Sequence, residues 1–229
     1  MASFKQIYAR AAKRKGGEEA LEKLIASPKP KTRAALKKLG DDRYLADMTK
    51  RIFQAGFVWR VVEQKWPDFE AAFQNFDPGR LSFLSDEDLD QLCRNPKIIR
   101  HAAKIAAVRH NAIFVTDLAR EHGSAAAFFA AWPEEDIVGL WALLKKRGAR
   151  LGGNTGPYFL RAVGKDSFLL SRDVVAALIR AKVVDRNPTG KGDLAKVQAA
   201  FNGWRAETGR SLTQLSRILA SSTDAAPSD

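Results

Sequence analysis

Cysteine is nearly absent from this chain: Cys93 is the single one among 229 residues. One thiol excludes an internal disulfide, and such sparing use goes with a reducing compartment, so a cytoplasmic protein is expected. Histidine is almost as scarce. His101, His110 and His122 all lie mid-chain, and with Cys93 they form no Cys-x-x-Cys or His-x-x-His spacing. Neither a metal nor a cofactor is therefore expected, and no histidine sits in a recognisable catalytic triad. Long apolar runs and an N-terminal signal pattern are missing too, which argues against a membrane as partner. Alternating apolar and polar residues, the mark of a half-buried strand, do not occur convincingly anywhere. The expected class is all-α.

Basic residues are what the chain has in excess. Lys and Arg number 38 against 26 Asp and Glu, a formal charge of +12 and a pI near 10. Such a balance favours an anionic partner, nucleic acid first and a membrane surface second. Residues 1–40 hold eleven Lys/Arg against Glu18, Glu19 and Glu22, which is +8 of the excess. These basic helices are either solvated faces or a phosphate-contacting arm, and sequence leaves both open. With 45% hydrophobic residues the chain can bury a proper core, so one two-lobed domain and a monomer are expected. Its parts are the basic N-terminal helices (1–40), a central region (41–185) and amphipathic C-terminal helices (186–229).

Within the central region, a helical run Ile137–Arg147 stops at Gly148. The tight segment Leu151-Gly152-Gly153-Asn154-Thr155-Gly156 follows, and Pro157 is expected to open the next helix. Glycine and asparagine tolerate positive φ, so this hairpin can turn sharply with its amides outward. Amides at a helix N-terminus make an anion site, and Lys146, Arg147 and Arg150 flank this one. A backbone phosphate would suit Gly152, Gly153, Asn154, Thr155 and Gly156.

The Leu-x-Gly-x-x-Gly turn, the Gly156-Pro157-Tyr158 step and Asp173 after a short apolar link resemble the hairpin of the helix-hairpin-helix DNA glycosylase superfamily. Further blocks follow in order: Gln54-Ala55-Gly56-Phe57-Val58-Trp59, Phe73-x-x-Phe76-Asp77-Pro78, Ile98-Ile99-Arg100-His101-x-x-Lys104-Ile105 with Asn111-Ala112, and Lys145-Lys146-Arg147-Gly148. Together they resemble 3-methyladenine DNA glycosylase type I over roughly residues 44–175. The resemblance implies a two-lobed helix-hairpin-helix fold acting on double-stranded DNA that contains a damaged base. It also implies Trp59 as the face that stacks on a flipped base, with Tyr44 and Phe53 on the pocket wall and Gln54 at a base edge. Arg43–Val62 is expected to be one helix carrying these residues, and a second is expected to run from Asn95 to Leu118.

Two features depart from that family. Type I enzymes clasp a zinc ion between their chain ends through Cys and His, for which this chain has no match, so packing of the C-terminal helices must replace it. Arg51 stands where the family keeps a pocket Glu, three residues before the Gln of the Gln-Ala-Gly step. Asp47, one helical turn earlier, is placed to pair with Arg51. In most of the superfamily, although not in type I, a catalytic Asp follows the hairpin. Asp173 matches that segment loosely, Ser171 competes for the position, and Asp173 could instead cap the next helix. Pro157 and Tyr158 occupy the place of the amine a lyase needs, so attack by water is expected. The expected function is a monofunctional glycosylase excising an alkylated purine such as 3-methyladenine in base excision repair. The alternative is a non-catalytic DNA-binding or damage-sensing helix-hairpin-helix protein.

Overall fold

The structure is a computed structural model that describes residues 3–223. Helices account for every regular element among them. In chain order they are α1 (Phe4–Lys15), α2 (Glu18–Ile25), α3 (Arg33–Lys37), α4 (Asp41–Gln54), α5 (Trp59–Gln64), α6 (Trp66–Ala72), α7 (Pro78–Leu81), α8 (Asp86–Arg94), α9 (Ala102–His122), α10 (Ala125–Ala131), α11 (Ile137–Arg147), α12 (Thr155–Val163), α13 (Arg172–Arg180), α14 (Lys191–Thr208) and α15 (Leu212–Ser221). None among the described residues is long and apolar enough to cross a membrane.

Three expected boundaries move, each for a local reason. The helix expected over Arg43–Val62 is two helices, because Gly56 takes a φ of 78° and the chain breaks between α4 and α5. Residues 95–101 precede α9 as an irregular segment, since Asn95 takes extended dihedrals after α8 and α9 begins only at Ala102. The helix after the hairpin starts at Thr155, two residues before Pro157. Proline's missing N–H costs nothing within a first turn, so Pro157 fits there equally well.

The chain divides into two compact units. One comprises residues 3–30, Pro133–Val138 and residues 166–223. There α1 packs on α2 and α15, and α13 packs on α15. Phe168 stacks on Phe201 with ring centroids 4.1 Å apart, and Phe4, Phe201 and Trp204 close the apolar centre. Buried Asp166 accepts the N–H groups of Leu212 and Thr213, both at 2.9 Å, and so caps α15 from a distant part of the sequence. One of the few acids of the basic helices is drawn away from them: Arg210 forks onto Glu22, which also accepts the Tyr8 hydroxyl.

The other unit spans Lys31–Trp132 and Gly139–Lys165. Helix α9 is its long central element, with α4, α7, α8 and α10 against it, and α12 lies on α4. Its core is aromatic. Tyr44 stacks on Phe129, which meets Phe159 edge-on, while Phe53, Phe69, Phe73, Phe76 and Trp66 form a second cluster. Asp41 accepts the Ala125 and Ala126 amides and caps α10 from the start of α4.

Asp166 supplies two acceptors to amides that no water can reach. Asp166→Ala should therefore lower stability by about 2 kcal/mol, with Asp166→Asn recovering part of that because one oxygen remains. Thermal unfolding of the two variants and the parent checks the order.

Candidate active site

The hairpin between α11 and α12 is held from below by α9. Asn111 is fully buried, and both ends of its amide engage Ala149: Nδ2 donates to the carbonyl at 3.1 Å and Oδ1 accepts the N–H at 2.8 Å. His110 Nε2–H donates to the Arg147 carbonyl at 3.1 Å. Leu151 is buried as the apolar plug of the turn. A Cβ on Gly156 would lie 2.6 Å from the Leu151 carbonyl oxygen, so only glycine lets the second helix approach. Gly153 takes a φ of 59° and faces open space. The amides of Gly152, Gly153 and Asn154 make no hydrogen bond among the described residues. The turn thus offers a row of free donors, with Thr155 and Gly156 opening α12 beside them.

The flanking cations are not equivalent. Arg147 forks onto Glu121 at 2.8 and 2.7 Å and lies over the Phe114 ring, so it is committed within the unit rather than to a ligand. Lys145, Lys146 and Arg150 are exposed around the turn. Lys145 is the cation that spacing alone does not single out as a phosphate ligand.

Trp59, at the first position of α5, is 49% exposed, unusual for a tryptophan. Its ring meets Tyr158 of α12 edge-on, with centroids 5.9 Å apart, two residues after Gly156. Hairpin and tryptophan are thereby joined through one aromatic contact. The Arg51 guanidinium lies 5.6 Å from the Trp59 ring centroid. Arg51 Nη1 donates to Gln54 Oε1 at 2.5 Å, Gln54 Nε2 donates to Glu63 at 3.0 Å, and Lys50 pairs with Glu63 at 2.7 Å. Glu63 is not singled out by the sequence; it lies one turn beyond Trp59 on α5, and only the break before α5 brings it to Gln54.

That break is held by Lys104. Its buried ammonium donates to the Phe53 and Ala55 carbonyls at the end of α4 and lies 4.4 Å from the Phe57 ring centroid. Burial, with Arg150 adding to it, holds the Lys104 pKa below its ordinary value. The Lys of the Ile98-to-Ile105 block is thus the group that fixes the Gln-Ala-Gly turn.

Four expected roles change. Tyr44 and Phe53 are fully buried in the aromatic core instead of lining a pocket wall; the Tyr44 hydroxyl donates to the Leu36 carbonyl. Gln54 is buried with its amide bonded to Arg51 and Glu63, so it orders those two side chains instead of presenting itself to a base edge. Arg51 donates to Gln54 instead of forming the expected ion pair with Asp47. At α13, Ser171 is the N-cap and accepts the Val174 N–H at 3.3 Å, which leaves Asp173 in the first turn. Asp173 belongs to the first unit, the hairpin and Trp59 to the second. Among the described residues no three His, Cys, Asp or Glu side chains gather as a metal site would require.

Asp47 forms no ion pair among the described residues. Burial is the dominant influence and pushes its pKa up, against the pull of Arg51, Lys50, Lys31 and Arg43. A carboxyl raised in the folded state costs stability once ionised. The penalty develops as pH rises from the ordinary Asp value through the folded one and stands in full above it. Asp47→Asn should accordingly melt higher than the parent at neutral pH, with the difference gone near about pH 3. Melting curves at both pH values check the sign.

A family model described as methyladenine glycosylase matches residues 36–149, about half of the chain. DNA-3-methyladenine glycosylase 1 of Escherichia coli (strain K12) is 39% identical over 59 residues, 26% of this chain and 32% of that protein. The chain thus spans about a third of the length of the curated relatives it matches. Among solved structures, the 8-oxoguanine DNA glycosylase of Methanocaldococcus jannaschii is similar at a TM-score of 0.56 and 14% identity, over 94% of this chain and 92% of that one. The 3-methyladenine DNA glycosylase I of Staphylococcus aureus is similar at a TM-score of 0.50 and 22% identity, over 55% and 77%. At these identities the likeness establishes the fold, which is the all-helical one of DNA glycosylases.

Proposed function

We propose that this chain, similar to the methyladenine glycosylases in sequence and to DNA glycosylases in fold, is itself a monofunctional DNA glycosylase. It binds double-stranded DNA, extrudes an alkylated purine and hydrolyses its N-glycosidic bond, leaving an abasic site for base excision repair. The observation that carries this reading is the half-exposed Trp59, braced edge-on by Tyr158 from the helix that the hairpin opens. An aromatic face ready for stacking beside free backbone amides suits a nucleotide taken out of the helix, with its phosphate held and its base stacked.

Chemistry at the sugar needs negative charge near a developing oxocarbenium ion and a water to attack it. We assign the first task to Asp173. Because Ser171 already caps α13, the carboxylate is not needed as the cap. Pro157 and Tyr158 follow the hairpin where a Schiff-base lysine would stand in a lyase, which supports attack by water. The engaged Gln54 favours a second reading, a DNA-binding protein without catalysis.

Single-turnover assays on lesion-bearing duplexes separate the two. Trp59→Ala should reduce excision far more than duplex binding, since stacking is gained only after the base leaves the helix. Asp173→Asn should keep binding and cut excision roughly a hundredfold. Intact excision in Asp173→Asn moves the carboxylate elsewhere, and no excision by the parent on any lesion favours the binding protein.

The hairpin is tested by salt. Duplex affinity should fall with a log–log slope of roughly −4 to −7 if about five to eight phosphates are neutralised. Gly153→Val strains a left-handed turn residue without any steric clash, so it should weaken binding while helicity is kept. Binding titrations across a salt series, with circular dichroism alongside, measure both.

A further inference from the structure

Arginine offers donors and no acceptor. Around Trp59, Arg51 spends Nη1 on Gln54, while its Nε–H is buried and has no partner among the described residues. Nη2 makes no hydrogen bond among the described residues either, and it is the donor left for an incoming acceptor. The neighbouring groups are tied to one another: Gln54 Oε1 accepts from Arg51, one Glu63 oxygen accepts from Gln54 and the other pairs with Lys50. Asp47, a helical turn away, faces Arg51, Lys50, Lys31 and Arg43 together, so its charge is shared among four cations. The charged group that meets the tryptophan face is the Arg51 guanidinium, 5.6 Å from the ring centroid, and it offers donors only.

Resting on the glycosylase reading above, we propose that Arg51 makes the exposed Trp59 face selective for electrically neutral modified purines that present acceptors, and selective against cationic N-alkylpurines. Charge acts against every cationic base, and loss of an acceptor acts further against those alkylated at N7. A cationic base stacked on Trp59 would sit against a guanidinium in a partly desolvated site, where like charges repel strongly. Methylation at N7 also removes the acceptor that Arg51 would bond, whereas O6-methylguanine keeps N7 and O6, and 1,N6-ethenoadenine keeps N7. A site built to hydrogen-bond one edge rejects the analogue lacking it, because its own buried groups are then left unpaired.

The test uses the full chain with duplexes carrying single O6-methylguanine, 1,N6-ethenoadenine, 7-methylguanine or 3-methyladenine lesions, scored for abasic sites. Binding of two nucleosides, neutral 1,N6-ethenoadenosine and 7-methylguanosine, is followed in parallel by tryptophan fluorescence, which requires no catalysis. A mildly acidic buffer keeps the second nucleoside cationic. We expect the parent to prefer the neutral lesions and the neutral nucleoside by about tenfold or more. Arg51→Gln should erase that preference and Arg51→Glu should reverse it, each checked for folding by circular dichroism. If the parent excises but favours the cationic lesions, the Arg51 proposal fails and the glycosylase reading stands. If it excises nothing yet binds the neutral nucleoside through Arg51, the proposal survives as a statement about binding and the catalytic reading fails. If neither excision nor nucleoside binding occurs, both are overturned.

Discussion

One buried side-chain amide underlies the whole arrangement around Trp59. Asn111 grips both the N–H and the carbonyl of Ala149, a pairing normally made between strands, and so fixes a loop residue as firmly as a sheet would. The placement of Arg150, Leu151 and the free glycine amides follows from it. So does the start of α12, and with it the position of Tyr158 against Trp59. Removing either end of that amide would leave an unpaired polar group in the interior, a far larger effect than the loss of any exposed lysine nearby.

Lys104 plays the matching part on the other side. Helix α4 ends with carbonyls that need a donor, and Lys104 supplies it from the interior of the unit. Its long stem can be buried because the ammonium meets two carbonyls and an aromatic face instead of bare hydrocarbon. The break between α4 and α5 turns Trp59 and Glu63 onto the face that Arg51 and Gln54 present. A continuous helix over the same residues would separate them.

Local order is legible wherever the sequence carries its own punctuation. Gly148, the glycine-rich turn and Gly16-Gly17 bound helices where expected, and Trp59 stands out by its place in the Gln-Ala-Gly-Phe-Val-Trp block. Side chains whose role depends on distant partners are not legible. Tyr44 and Phe53 read as pocket aromatics because nothing in their spacing reveals that Phe129 and Phe69 cover them. Arg147 reads as a phosphate ligand because Glu121, twenty-six residues earlier, is invisible as its partner without the turn of the chain between them. The cap considered at Asp173 fails for a simpler reason: Ser171 takes the extended dihedrals of a cap, and Asp173 lies inside the helix. Periodicity also runs straight through Gly56, since the apolar stripe of α4 continues in phase into α5 despite the break.

The two hairpin glycines answer to different physical limits, and this divides the ways the turn can drift. Gly153 is held only by a left-handed dihedral in open space, which asparagine or aspartate can also adopt. Gly156 is held by the Leu151 carbonyl oxygen itself, and no side chain of any kind fits there. A lineage can therefore exchange the first, even adding a carboxylate that repels the anion the turn would bind, while every helix stays in place. Loss of the second would take the loop with it. Among descendants of this chain, the ability to hold an anion can vanish silently, with the architecture that once served it still intact.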